Sequence, residues 1–393
     1  MENNQKNKTK LNKKEIFSIL GLFFVWRIVL QIIAFISHNR FSLGPDSGYG
    51  NIESWEGPVT HFFKYWIRWD AGFYLGIAGD GYTFDQAQNL SNTTFFPLYP
   101  ILIRYVGFLF GNFYAGLIIS TVAAIFSCFF LYKLAKLELD KKARAFRSIF
   151  YYLIFPASIF LAAIYTESLF MALSVASFYY ARKNNWLLAG VLGFFTALTR
   201  PQGIILFPVL LFEYLEQREF KFKKIRWGVL WNLFIPLGLG VYMYYLKIKF
   251  GNPLLFIFAQ DSWGRNTSFS LKSVWDTISN YFYEFFYPGP ENFAYYLVKD
   301  LDLLFFLAFL VLAIVIFLNF RMSYGTYMLL SLIVPLMTSS LMSINRFVLL
   351  LFPAYIYLSK ISKNQIVQYA IILLFFSLFV IYTILFTNWY WAG

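Results

Sequence analysis

Residues Phe17–Ile36 read FSILGLFFVWRIVLQIIAFI, an apolar run interrupted by a single charge at Arg27. A helix on the surface of a soluble domain keeps a polar face, and this run has none. Twenty apolar residues suffice to cross a hydrocarbon core of about 30 Å, so the run predicts a transmembrane helix. A cleaved leader would have a shorter apolar core followed by a small-residue site. None follows here, and the reading is an uncleaved first span preceded by a polar, basic tail, MENNQKNKTKLNKKEIF.

The composition extends that reading to the whole chain. Of 393 residues, 59% are hydrophobic and 13% charged, with a mean hydropathy of +0.57. Soluble domains carry about a quarter charged residues, so the solvent here is lipid. An aromatic content of 23% suits a protein with much surface at the membrane interface. The net charge of +13 comes from short basic clusters between apolar runs, which is a topology signal and excludes nucleic acid as the partner. Cys128 is the sole cysteine, so no intrachain disulfide exists.

Basic residues crowd the cytoplasmic ends of membrane helices. The clusters are Lys6 to Lys14, Lys133 to Arg147, Arg182 with Lys183, Arg218 to Arg226, Arg321, and Lys360 with Lys363. If all lie inside, an even number of crossings separates each from the next. Three apolar runs precede Lys133, so one does not cross. The middle run, FFPLYPILIRYVGFLF from Phe95 to Phe110, holds Pro97, Pro100 and Arg104 and reads as an interfacial or partly inserted helix. The later spans pair as Ser148–Ile164 with Tyr165–Ala181, Trp186–Thr199 with Pro201–Leu215, Gly228–Leu246 with Leu297–Phe320, and Tyr324–Met342 with Phe347–Ser359. Gln365–Thr387 is last. The result is an all-α polytopic membrane protein of about eleven spans, divided into an N-terminal module (1–246, with a first outer loop at 37–112) and a C-terminal outer loop with membrane helices (247–393).

This topology puts Asp70, Glu167, Arg200, Gln202, Gln260, Arg265, Asn345 and Arg346 on one outer side. Asp70 stands in RWDAGFYLGIAGDGY, where Phe62, Trp66, Trp69, Phe73 and Ile77 recur at helical spacing from Thr60 to Tyr82. Two readings are open for it: a reactive acid, or an interfacial cap that pairs with Arg68 or Lys64. Glu167, in YTESLF, is either functional or the partner of Arg200. Arg200, Arg265 and Arg346 are suited to phosphate oxygens by their planar forks, or singly are arginines that snorkel to the interface. No Walker loop, HExxH or Cys/His cluster occurs, and His38 and His61 have no ligand spacing.

Together with FFPLYP, FPASIFLAAIYTESLF, LTRPQG, AQDSWGR and NRFVLLLFP, that stretch resembles the PIG-V family (GPI mannosyltransferase 2) and its bacterial relatives, within the GT-C membrane glycosyltransferases. The resemblance runs from about Trp66 to Pro353. Eukaryotic members often read Ser-Asn-Gly where this chain has Pro201-Gln202-Gly203, which leaves the acceptor open. The resemblance implies a polyprenyl-phosphate sugar donor, usually mannose, and transfer on the non-cytoplasmic face. It also implies that Asp70 is the catalytic acid residue of the first outer loop. Arg200, Arg265 and Arg346 are then candidates for the leaving phosphate, with Glu167, Gln202, Gln260, Trp69 and Trp263 around donor and sugar.

The expectation is thus an inverting mannosyltransferase in a bacterial cell membrane with its site facing outward. Its partners are membrane lipid, the lipid-linked donor, and an acceptor that is an envelope glycan, a lipid or a secreted protein. No metal ligand set is indicated, although Asp80 and Glu167 leave a divalent ion open. The rival readings are a lipid-linked glycan transporter, disfavoured by the lack of an internal repeat, and a non-catalytic scaffold.

Overall fold

The structure, a computed structural model, describes residues 11–45, 62–85, 90–260, 265, 267–268, 270–289, 291 and 293–393. Among these, the strands are a two-residue antiparallel pair, β1 (Phe84–Asp85) and β2 (Leu90–Ser91), and the rest of the regular structure is helical. Helix α1 spans Lys13–Arg40 and opens on a capping box, the Asn12 side chain accepting from the Glu15 amide while Glu15 reaches back.

Five helical stretches are long and apolar enough to cross a membrane. They are α1, α4 (Asn112–Glu138), the run Trp227–Phe250 that ends in α9 (Phe234–Phe250), α11 (Phe293–Asn319) and α15 (Gln365–Thr387). Large side chains such as Phe17, Phe24, Leu318 and Leu373 point outward from them, as a lipid-facing surface requires. The protein is an all-α polytopic integral membrane protein.

The shorter helices are α2 (Asp70–Asp80), α3 (Leu98–Phe110), α5 (Lys142–Leu153), α6 (Glu167–Arg182), α7 (Trp186–Thr199), α8 (Leu206–Glu216), α10 (Leu271–Phe286), α12 (Met322–Met337), α13 (Ile344–Leu349) and α14 (Phe352–Ile361). At 13 residues α3 is about 20 Å long, short of a hydrocarbon core.

Three expected helices are broken, each for a local reason. Ser148–Ile164 is not one span: α5 stops at Leu153, and Pro156 opens a buried 3-10 segment, Pro156–Leu161. Proline has no amide to donate, and its ring clashes with the preceding turn. Such irregular backbone is tolerated at membrane depth because protein surrounds it. Phe347–Ser359 is split at Leu350–Leu351 because Pro353 sits best in a first turn, and α14 starts there. The amphipathic helix expected over Thr60–Tyr82 is also not continuous. Thr60 and His61 lie outside the described residues. A 3-10 turn, Lys64–Trp66, ends before Trp69, whose φ of 40° resets the helical phase, and α2 begins at Asp70. Trp66 and Ile77 are therefore core residues rather than parts of a lipid-facing stripe.

Ion pairs gather the basic clusters at one end of the bundle. Glu15 binds Lys136 at 2.9 Å and Lys142 at 3.3 Å, and Arg147 donates to the Ser362 carbonyl. Glu213 takes Arg321 through both carboxylate oxygens at 2.9 Å and Arg182 at 3.4 Å, while Arg182 also reaches Glu138 at 2.7 Å. Helix α6 starts at Glu167 and ends at Arg182, so Glu167 is about 24 Å from this basic end.

Candidate active site

At the other end, four charged side chains from four segments form one hydrogen-bonded chain. The Asp70 carboxylate accepts from Arg346 Nη1 at 2.8 Å, and Arg346 Nε donates to Glu167 at 2.7 Å. Arg200 Nη1 then donates to the same Glu167 oxygen at 2.6 Å. Two acids alternate with two bases, so the buried charge sums to zero. Arg200 also donates to Thr166 at 3.2 Å and to Gln202 at 3.4 Å. The Arg346 guanidinium lies 4.9 Å from the Phe160 ring and 4.8 Å from the Tyr165 ring, and Arg200 lies 5.7 Å from Phe347.

Local structure explains how each group gets there. Asp70 is the first residue of α2, directly after Trp69 in its strained conformation. The Trp69 ring packs on Phe386, Trp389 and Trp391, with centroids 5.3, 5.6 and 5.7 Å away. Arg346 lies three residues after Ser343, which has φ 70° and begins the short α13. Both members of the Asp70–Arg346 pair thus follow a residue with strained backbone, a state worth about 1–3 kcal/mol that surrounding contacts must impose. Arg200 caps α7 in extended conformation just before the Pro201–Ile205 turn. Gly203 in that turn is required by space, because a Cβ would meet the Thr196 carbonyl at 2.4 Å.

Exposure separates the two acids. The Asp70 side chain is 22% exposed, whereas Glu167 is fully enclosed. Asp70 is the end of the chain that is open to solvent, and Glu167 is the enclosed anion that two arginines share. The pairing of Glu167 with Arg200 foreseen for it is present. Asp70 pairs with neither Arg68 nor Lys64. Arg68 donates instead to the carbonyls of Lys64, Ile67 and Thr387 and lies 4.3 Å from the Trp389 ring.

Arg265 contacts the Met342 carbonyl at 3.4 Å, and no carboxylate among the described residues pairs with it. Burial presses its guanidinium below the ordinary value, nearby Arg346 adds to that push, and Asp70 opposes it. It therefore shares the field of the site, and among the described residues its guanidinium meets only a backbone carbonyl. Gln260 joins through its backbone, accepting from the Arg265 amide at 3.2 Å, and Trp263 lies outside the described residues.

Several neighbours escaped the sequence reading. Asp302 is buried in α11, with one carboxyl oxygen accepting from the Ser343 amide at 3.1 Å. Its signal was present as an acid inside an apolar run. Asn345 donates to the Ala392 carbonyl at 2.7 Å, folding residues 388–392 against the site. Nothing in the sequence announces that Trp389 and Trp391 meet Trp69. A cavity of about 800 Å³ adjoins this corner, its wall including Thr277, Asn280, Tyr281, Asp302, Ser340 and Trp391. No group of three or more His, Cys, Asp or Glu placed to hold a metal occurs among the described residues.

Fold and site together describe a polytopic membrane protein with a chain of alternating acids and arginines at one end of its helices. A model of the family described as Mannosyltransferase (PIG-V) matches residues 22–226, just over half of the chain. The chain belongs to the PIG-V mannosyltransferase family. The matched region contains Asp70, Glu167 and Arg200, while Arg265, Asp302 and Arg346 lie beyond it. The chain is similar to GPI mannosyltransferase 2 of Schizosaccharomyces pombe, 30% identical over 146 residues that cover 36% of this chain and 30% of that protein. It is also similar to GPI mannosyltransferase 2 of Yarrowia lipolytica, 25% identical over 148 residues, or 38% of this chain and 40% of that one. The chain thus spans well under half the length of the curated relatives it matches.

Proposed function

We propose that the protein is an inverting glycosyltransferase that moves mannose from a polyprenyl-phosphate donor to an acceptor hydroxyl. The reading places the reaction on the non-cytoplasmic face of a bacterial cell membrane, opposite the basic end. The observation that carries it is the position of Asp70, the partly exposed acid at the end of an otherwise enclosed chain of ion pairs.

In this scheme the acceptor oxygen attacks the anomeric carbon and its proton passes to the Asp70 carboxylate. The bond from that carbon to the phosphate oxygen breaks on the opposite face, which inverts the centre, and the lipid phosphate leaves with the electron pair. Arg265 is the first guanidinium for that phosphate because its donors are not held by a carboxylate among the described residues. Arg346 and Arg200 add fixed positive charge, oriented in advance by Glu167. Trp69, backed by Trp389 and Trp391, offers an aromatic face to a sugar, and Gln202 and Gln260 flank the donor, a role the sequence resemblance also gives Trp263. The cavity beside Trp391, lined by hydroxyls and by charged groups such as Asp276, Glu284 and Lys299, is a suitable entry for an acceptor rich in hydroxyls, whether envelope glycan, lipid or secreted protein.

The test is transfer of radiolabelled mannose in membranes carrying the protein, with an envelope extract as acceptor. Polyprenyl-phosphate mannose is expected to support transfer, and a nucleotide-linked mannose without lipid is not. Transfer from the nucleotide sugar alone, in membranes free of polyprenyl phosphate, would remove the lipid-donor reading.

A further inference from the structure

The basic end of the bundle holds a second pocket that mannosyl transfer does not use. It has a volume of about 720 Å³ and is lined by Arg182, Arg218, Lys223, Lys224, Arg226 and Arg321 with only Asn184 and Gln217 besides. We propose that this pocket binds the headgroup of an anionic phospholipid, the phosphodiester seated among these cations.

Part of the wall is rigid. Arg321 is clamped through both oxygens of Glu213, and Arg182 is held between Glu138 and Glu213. The Arg218 guanidinium lies over Tyr214, 3.4 Å from the ring centroid, and donates to the Tyr214 and Lys224 carbonyls at 3.1 Å each. The Tyr214 hydroxyl in turn ties down residue 226, donating to its carbonyl at 3.0 Å and accepting from its amide at 2.8 Å. These contacts fix donors in place, unlike a solvated run of lysines that merely marks a topology.

The charge is not balanced locally. Arg182 and Arg321 have carboxylate partners, and Lys224 approaches Glu219 at 3.8 Å. Among the described residues, Arg218, Lys223 and Arg226 have none, and the pocket lining contains no acid. Three unmatched cations around one concavity repel each other unless an anion enters, and phosphate oxygens accept well from guanidinium and ammonium groups.

The rim decides between a lipid and a free phosphate. Phe220, Ile225, Trp227, Leu230 and Trp231 follow or interleave with the cations and stand exposed, Trp227 at 86%. Exposed tryptophans beside lysines and arginines mark the headgroup level of a bilayer, so acyl chains have an apolar surface to lie on. The pocket is about 24 Å from Glu167 along α6, and the proposal stands whether or not the transfer reaction is as described.

The test uses the full chain purified in zwitterionic detergent, with thermal stability and native mass spectrometry as readouts. Added phosphatidylglycerol is expected to raise the melting temperature and remain bound, and phosphatidylcholine is not. Lys223→Gln/Lys224→Gln/Arg226→Gln is expected to weaken the phosphatidylglycerol response roughly tenfold to hundredfold in half-saturating concentration. A control that removes three cations elsewhere, Lys141→Gln/Lys360→Gln/Lys363→Gln, should behave as the native chain. An equal loss in the control means diffuse attraction and overturns the site. Equal responses to both lipids also overturn it. Stabilisation by inorganic phosphate or pyrophosphate with none from phosphatidylglycerol would make the ligand a free phosphate and refute the lipid.

Discussion

Asp70→Asn and Glu167→Gln each remove one negative charge from the same chain of ion pairs, yet the structure separates their effects. Glu167 accepts from Arg346 at 2.7 Å and Arg200 at 2.6 Å while fully enclosed. At an effective dielectric of about 20, each contact is worth about 6 kcal/mol of Coulombic attraction, much of it offset by desolvation. Glu167→Gln leaves Arg346 with Asp70 alone and Arg200 with no carboxylate partner among the described residues, and breaking a buried pair on one side costs about 3–5 kcal/mol. Asp70→Asn is milder, because Arg346 keeps Glu167 and the Asp70 side chain is partly solvated, so the cost is about 1 kcal/mol. With about 2–4 °C lost per kcal/mol, the melting temperature should fall by about 10 °C for Glu167→Gln and by about 3 °C for Asp70→Asn. Activity should rank the other way per folded molecule: losing a general base costs about 10²- to 10⁴-fold in kcat. The assay is mannosyl transfer per mole of folded protein, alongside a thermal melt in the same detergent. If Asp70→Asn keeps transfer within tenfold of native, Asp70 is not the base. If it melts as early as Glu167→Gln, its role is architectural.

Further expectations rest on individual contacts. Arg346→Lys keeps the charge but cannot reach both Glu167 and Asp70 from one planar fork, so transfer should drop at least tenfold while Arg346→Ala also loses stability, read by the same two assays. Arg265→Gln should raise the donor KM, by about tenfold or more, with a melting temperature near native, since it breaks no carboxylate pair seen here. Asp302→Ala strips the Ser343 amide of its acceptor and frees the turn that carries Arg346. A loss of about 1–3 kcal/mol is expected in chemical denaturation, whereas Asp302→Asn, which retains an acceptor, should lose less. Gly203→Ala drives a Cβ to 2.4 Å from the Thr196 carbonyl, so folded yield should fall sharply, as size-exclusion profiles would register.

Much of the site was legible because charge is scarce in a membrane protein. In a chain with 13% charged residues, each acid or arginine near an apolar run stands out, and crossing parity sorted them into two ends. The ion pairs bear out that sorting: Glu15, Glu138 and Glu213 tie the basic clusters together, and Asp70, Glu167, Arg200, Gln202 and Arg346 share one chain of hydrogen bonds. Asp302 was readable by the same rule and was passed over inside the Leu297–Phe320 run. Helix ends were harder. Phe17–Ile36 and Gln365–Thr387 are long enough that hydropathy locates them, but Pro156, Pro353 and the Trp69 backbone break helices that an apolar pattern alone would run through.

Composition and hydropathy thus determined the solvent, the helical class and which charged groups share an end, because transfer of charge into lipid is costly however the chain packs. The Glu167–Arg200 pair could be foreseen, but tertiary structure alone decided that Arg346 joins Glu167 to Asp70. Asp70 meets Arg346 across 276 positions and Trp69 meets Trp391 across most of the chain, contacts that depend on α15 packing against α1 and the Lys64–Trp66 turn and on α13 packing against the Pro156–Leu161 turn. It also decided that Glu167 is sealed between two arginines while Asp70 is partly open, because the segments that enclose Glu167 leave one edge of the α2 start uncovered.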